Sequence, residues 1–208
     1  TTCPAGSKCP DKAASPIACS AGTYAVAGQI SCTWCPPGKA CPSKTAATVN
    51  SCAAGTYSTG GATSCTSCAA GKFCPSLTSA TSLDCPMGTY STGSQAVCTP
   101  CPAGSACPVA SVAPVACSSG FSTGGAGTCQ SCPAGYSCTA NSDSHTPCSP
   151  GTFSTLGAMT CTVCPAGKYC PSTKHSVQLP CTAGKFSTGS AAFCSECQAG
   201  QACSPTTG

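Results

Sequence analysis

At 208 residues the chain is long enough for one or two globular domains, but eleven aromatic residues and very little Leu or Ile leave too small an apolar area for a shared core. The 26 cysteines, about one residue in eight, are the alternative source of stability, and they place the chain in an oxidising, extracellular compartment. Eight Lys, no Arg and four acidic residues give a net charge of +4 scattered along the chain, which excludes the clustered, Arg-rich surface of a nucleic-acid binder.

The cysteines mark out a repeat. Those that open a Pro-Ala-Gly-type loop stand at Cys3, Cys35, Cys68, Cys101, Cys132, Cys164 and Cys197, spaced by 32, 33, 33, 31, 32 and 33 residues. So even a spacing identifies a linear array. The repeats run over residues 3–34, 35–67, 68–100, 101–131, 132–163 and 164–196, and a partial seventh covers 197–208.

Each period holds two loops. The long one opens at Cys19, Cys52, Cys85, Cys117, Cys148 and Cys181 and carries an aromatic at Tyr24, Tyr57, Tyr90, Phe121, Phe153 and Phe186. Its Thr-Tyr-Ser-Thr alternation, followed by turns such as Gly60-Gly61 and Gly124-Gly125, predicts a short β-hairpin whose glycines supply positive φ. The short loop, as in Cys164-Pro-Ala-Gly-Lys-Tyr-Cys170, predicts a turn at its Gly, and a variable Ser/Thr/Pro/Ala segment follows it. No window carries a 3.6-residue apolar period, so no helix is expected. The fold class is small disulfide-rich repeats: an elongated rod of short β-hairpins without a conventional hydrophobic core. Small-angle scattering checks the rod, since a radius of gyration near the ~17 Å of a compact domain this size would refute it. The six recurrent rings are expected to come into register along such a rod. Each would either pack against a disulfide of its own or a neighbouring unit, or fill its own hairpin.

No apolar run approaches the ~20 residues of a membrane-spanning helix. No signal peptide precedes Thr1, which describes a mature product or a piece cut from a longer chain.

From Cys-x-Ala-Gly-Thr-Tyr-Ser-Thr-Gly through Cys-x-x-Cys-Pro-Ala-Gly, the chain resembles the cysteine-rich repeats of the ephrin-receptor-like and TNF-receptor-like group, and growth-factor-receptor cysteine-rich modules are similar in kind. Cys52-Ala-Ala-Gly-Thr-Tyr57 matches the opening submodule of TNF-receptor-like repeats. The evenness and Ser/Thr/Ala richness look more like protist surface proteins such as ciliate immobilisation antigens. The resemblance implies an elongated extracellular protein. It also implies crossed disulfides: Cys32–Cys41, Cys35–Cys52, Cys65–Cys74, Cys68–Cys85, Cys98–Cys107, Cys101–Cys117, Cys129–Cys138, Cys132–Cys148, Cys161–Cys170 and Cys164–Cys181. That pairing leaves Cys9 and Cys197 without partners. The alternative joins sequence neighbours, Cys52 with Cys65 and Cys68 with Cys74, and uses all 26 cysteines.

Chemistry is sparse. The Cys-x-x-Cys pairs from Cys32/Cys35 to Cys194/Cys197 have the spacing of zinc ligands, but the further cysteines of every period and the lack of His favour disulfides over a metal or redox site. Asp11, Asp84, Asp143 and Glu196 stand in different units, so no carboxylate pair serves acid–base catalysis; the expectation is a non-enzyme with no catalytic residue, cofactor or metal. His145 and His175 fall in polar segments and read as solvated. Trp34 and the Lys39/Lys44 neighbourhood are the unusual residues of the second unit and the place to look for a contact surface.

Neither Asn50 nor Asn141 opens an Asn-x-Ser/Thr site, whereas hydroxyls cluster at Thr45 to Ser51, Thr78 to Ser82 and Ser142 to Thr146. That composition resembles O-glycosylated stalks. These readings converge on an extracellular or cell-surface structural protein, part of a coat, a ciliary or flagellar appendage, or a filament. Its partners are copies of itself and O-linked glycans, with no nucleic acid. The alternative function is a ligand-binding receptor ectodomain or adhesin.

Overall fold

A computed structural model describes residues 2–11, 13, 15–42, 49–75, 79–171, 174, 176–200 and 202–207. Lys12, Lys44, His175, Thr78 and residues 45–48 of the hydroxyl-rich segments lie outside them. Among the described residues there is no helix, and eleven antiparallel two-stranded pairs form the regular structure. The chain divides into two compact units, one of Thr1–Pro100 with Val109–Ala113 and the other of Cys101–Pro108 with Pro114–Gly208.

The hairpin is expected in the long loops and found in both kinds. After Cys19-Ser-Ala-Gly the strand Thr23–Tyr24 pairs with Thr33–Trp34, and after Cys35-Pro-Pro-Gly the strand Lys39–Ala40 pairs with Asn50–Ser51. The variable segment is therefore the far arm of a second hairpin. The structural repeat is half the sequence period: Cys-x-x-Gly, two strand residues, a turn, two strand residues, and the Cys that opens the next hairpin, recurring every 15 to 17 residues. Most junctions, those at Cys101 and Cys132 excepted, are locked by the same bond, in which the opening Cys N–H donates to the preceding glycine's carbonyl, as in Cys35 to Gly22 and Cys52 to Gly38, both at 2.9 Å. The Cys117 hairpin departs from the pattern. It lacks the Thr between Gly and the ring, so only Phe121 and Gln130 pair there.

All 26 cysteines are oxidised, in bridges between sequence neighbours. The bridges span six residues in the short hairpins and 12 or 13 in the long ones. Both kinds start at the opening Cys. In the short hairpin it bonds the Cys that ends the outgoing strand (Cys35 with Cys41), and in the long hairpin the Cys just before the return strand (Cys52 with Cys65). The crossed pairing is thereby corrected. Cys32 bonds Cys19 and Cys41 bonds Cys35, so neither Cys32–Cys41 nor Cys35–Cys52 forms. Cys65–Cys74 and Cys68–Cys85 give way to Cys52–Cys65, Cys68–Cys74 and Cys85–Cys98. Cys98–Cys107 and Cys101–Cys117 give way to Cys101–Cys107 and Cys117–Cys129. Cys129–Cys138 and Cys132–Cys148 are replaced by Cys132–Cys138 and Cys148–Cys161. Cys161–Cys170 and Cys164–Cys181 are replaced by Cys164–Cys170 and Cys181–Cys194. Cys9 and Cys197 bond Cys3 and Cys203.

The cause is the two-residue strand. A hairpin so short brings its own flanking cysteines to Cα separations such as 5.5 Å for Cys52/Cys65 and 6.0 Å for Cys35/Cys41, within disulfide reach. The second Cys of each Cys-x-x-Cys belongs to the next hairpin. Non-reducing peptide mapping is expected to return Cys68 linked to Cys74, and recovery of Cys65 linked to Cys74 would reinstate the crossed pairing.

Burial is inverted relative to an ordinary globular core. Cystines, Ala25, Ala40, Ala106 and the serines Ser58, Ser91, Ser122, Ser154 and Ser187 are inside, while Met87, Leu156, Ile30 and Trp34 are outside. The buried serine follows the ring in five long hairpins, and Ala25 holds that place in the first. Its backbone joins successive hairpins of a unit. In unit 1 the Ser91 carbonyl accepts from Gly71 N–H at 2.8 Å and its N–H donates to the Ala110 carbonyl at 2.9 Å; in unit 2, Ser122 links Gly104 and Ser142 in the same way. Its hydroxyl is satisfied locally, accepting from the N–H two residues on at Gly60, Gly93, Gly124 and Gly189. In Ser154-Thr-Leu156 the residue at that place is not glycine, and the hydroxyl instead donates to the Tyr136 carbonyl at 2.7 Å.

Candidate functional site

The turn of each long hairpin contains a left-handed residue whose N–H donates to the carbonyl of the preceding opening Cys, as in Gly61 to Cys35, Ser94 to Cys68, Gly125 to Cys101 and Ser190 to Cys164. The Gly60-Gly61 and Gly124-Gly125 turns carry φ of 101° and 64°, and 93° and 62°, the positive values read from the sequence. Ser94 (φ 54°) and Ser190 (φ 52°) adopt the same conformation without glycine. The short hairpins use Asn141 and Lys174 in this way, donating to Cys117 and Cys148. One geometry therefore recurs through both loop types.

The rings share one register position, where Phe121 is buried and the other five are half-buried. Tyr24 packs on Cys35 and Cys41, the bridge of the following hairpin, and Phe121 packs with Tyr136 against Cys132 and Cys138. Tyr57, Tyr90, Phe153 and Phe186 take the same place in their own hairpins, each facing the residue just after the hairpin's last disulfide Cys. Among the described residues no two of the six rings meet.

His145 is a correction to the solvated reading. Its ring lies 4.8 Å from Phe121 and 4.5 Å, edge-on, from Tyr136, and Lys174 Nζ stands 5.7 Å from the Tyr136 ring centre. Nδ1 is buried without a hydrogen-bond partner. The imidazole serves here as an aromatic filler between two hairpins, which its polar sequence neighbours Ser144 and Thr146 conceal.

Charges are used across single hairpins. Lys72 meets Asp84 at 2.5 Å and Lys185 meets Glu196 at 3.4 Å, each pair at facing register positions. Lys39 and Lys168 occupy the equivalent place, bonding Ser51 and Gln178. These pairs are exposed and contribute at most about 1 kcal/mol each. Asp84 and Glu196 are thus held by lysines of their own hairpins rather than brought together. No group of three or more His, Cys, Asp or Glu able to hold a metal occurs among the described residues. The Cys-x-x-Cys pairs offer no thiolates, because Cys32 and Cys35 belong to different disulfides.

Trp34 is 70% exposed and its ring lies over Gly61, where an added Cβ would come within 2.5 Å of it. Lys39 sits on the neighbouring outgoing strand. In unit 2 a shallow open cleft of about 200 Å³ is lined by Tyr169, Pro180, Thr182, Lys185, Phe193 and Cys194. Phe193 is 73% exposed. The signal for it was a large side chain at a turn position where other long hairpins carry Ser31, Ser64, Val97 or Thr160. Among the described residues no helix is long and apolar enough to cross a membrane.

No protein-family model and no curated protein matches the chain. The resemblance to receptor-like cysteine-rich repeats thus rests on the Cys, Gly and Tyr spacing alone, and the disulfide pairing departs from the one it implies.

Proposed function

We propose that the chain is a non-catalytic structural protein of the cell exterior whose copies associate in a surface coat, a ciliary or flagellar appendage, or an extracellular filament. The observation that carries this reading is the half-period hairpin. At intervals of 15 to 17 residues, with exceptions at Cys101 and Cys132, the same backbone bond recurs, and each hairpin holds its own disulfide. Similar surfaces recurring at fixed intervals favour lateral or end-to-end association of like copies. Cross-links confined to single hairpins resist extension and proteolysis without depending on distant contacts. Disulfides in this number belong to an oxidising compartment, and the hydroxyl-rich segments supply sites for O-linked sugars.

The rival reading, a ligand-binding ectodomain or adhesin, is favoured by the Tyr169/Phe193 cleft. Negative-stain imaging of native material separates the two. Ordered filaments or a layer, unchanged by Phe193→Ala, are expected; isolated single chains throughout would overturn the structural reading.

A further inference from the structure

The residue opposite each ring is the distinctive one. Tyr24 faces Thr33, Tyr57 faces Thr66, Tyr90 faces Thr99, Phe153 faces Thr162 and Phe186 faces Ser195. All five hydroxyl residues are exposed, and none of their hydroxyls makes a hydrogen bond among the described residues. The outgoing-strand threonines behave differently: Thr23, Thr56, Thr89 and Thr152 each donate back to the carbonyl three residues earlier at 2.6 to 2.7 Å.

Two ordinary explanations fail to account for the hydroxyl. Strand propensity would accept Val or Ile equally well, and the same position in the short hairpins does carry Ile17, Leu83, Val115 and Leu179. Pairing with a ring does not demand it either, because Phe73 faces Leu83 and Tyr169 faces Leu179. Of the short hairpins only the one at Cys132 has a hydroxyl there, Thr146, whereas five of the six long hairpins keep one, in Cys-(Thr/Ser)-x-Cys, where a disulfide cysteine flanks it on either side.

We infer that Thr33, Thr66, Thr99, Thr162 and Ser195 are O-glycosylation sites, each placing its first sugar over the ring across the strand. Directly opposed side chains stand on one face with Cβ atoms about 4.5–5.5 Å apart, so the apolar face of a pyranose on Oγ1 meets the half-buried ring. The hydroxyl oxygen bonds the anomeric carbon of a nucleotide-activated sugar, whose bond to phosphate breaks. The nucleotide leaves with the electron pair, and the hydroxyl proton passes to a base of the transferase. The sixth long hairpin presents Gln130 and has no hydroxyl there to modify. This inference rests on the exterior reading above and deepens it.

The test is site-resolved mass spectrometry, with electron-transfer fragmentation, of the chain purified from the cells that make it. Most copies are expected to carry sugar at Thr66 and Thr99, and Thr66→Val is expected to fold while losing one glycan mass. Bare hydroxyls at all five positions overturn the inference. So do sugars confined to the variable segments, an outcome that leaves the exterior reading standing. That reading is scored separately, by release of the chain from intact cells with protease.

Discussion

Full reduction of the disulfides unfolds both units and makes the chain protease-sensitive along its whole length. A bridge spanning six residues contributes about 2 kcal/mol on the chain-entropy estimate and one spanning 13 about 3 kcal/mol. Summed over the array this is on the order of 30 kcal/mol, against the ~5–15 kcal/mol of net stability typical of a domain. No extended apolar core takes up the difference, since Leu156, Met87 and Phe193 are at the surface and the buried residues are cystine, Ala and Ser with the single ring of Phe121. The loss is stepwise as well as large. Each bridge lies within one hairpin, so Cys52→Ser with Cys65→Ser is expected to cost about 3 kcal/mol and to open mainly the Cys52 hairpin and its hydrogen-bonded neighbours. Hydrogen exchange with and without reductant checks both statements. Protection that survives complete reduction would show that something other than the cross-links holds the fold.

How much of this was legible in the sequence depends on what each residue type signals. Cysteine spacing revealed the repeat, and Thr-Tyr before a glycine turn marked hairpins such as Thr56–Tyr57 with Thr66–Ser67. The short-loop hairpins were missed because their far arms, such as Asn50–Ser51, show no alternation and no ring. The cue was present all the same, since Cys35-Pro-Pro-Gly and Cys52-Ala-Ala-Gly have the same form. Bridge pairing was misread because an analogy stood in for geometry: two-residue strands leave each opening Cys nearest a Cys of its own hairpin. Hydrophobicity misled in both directions. Ser91 is fully buried, its backbone bonded to Gly71 and Ala110 of neighbouring hairpins, while Met87 is 90% exposed. His145 escaped notice for a related reason: its partner Phe121 lies on the preceding hairpin and Tyr136 stands nine residues back on the outgoing strand of its own, which no local pattern reveals.

Gly151→Ala is expected to destabilise unit 2 far more than Gly184→Ala, although the two glycines hold the same place in successive long hairpins. Their backbones match, with φ of 84° and 80°, so both substitutions force an L side chain into the left-handed region at about 1–2 kcal/mol. Their surroundings differ. A Cβ on Gly151 would stand 2.3 Å from the carbonyl oxygen of Ser190, the left-handed turn residue of the next long hairpin, whereas a Cβ on Gly184 meets nothing within 4 Å. The obstruction at Gly151 is backbone, and that backbone is fixed from both sides. Ser190 N–H is bonded to the Cys164 carbonyl at 2.7 Å, and Gly151 N–H to the Cys170 carbonyl at 2.9 Å. Relief therefore requires one of those bonds to lengthen or the two hairpins to part, a further cost of about 1–3 kcal/mol by analogy with overpacked cores. Gly135, against Lys174, and Gly55, against Ser94, belong to the same class at 2.1 and 2.2 Å. Hydrogen exchange at Ser190 and Gly151 gives the decisive reading: both amides should lose protection in Gly151→Ala and keep it in Gly184→Ala. Equal losses in the two variants would mean that conformational strain alone selects the glycine, and that contact between successive hairpins does not hold the array together.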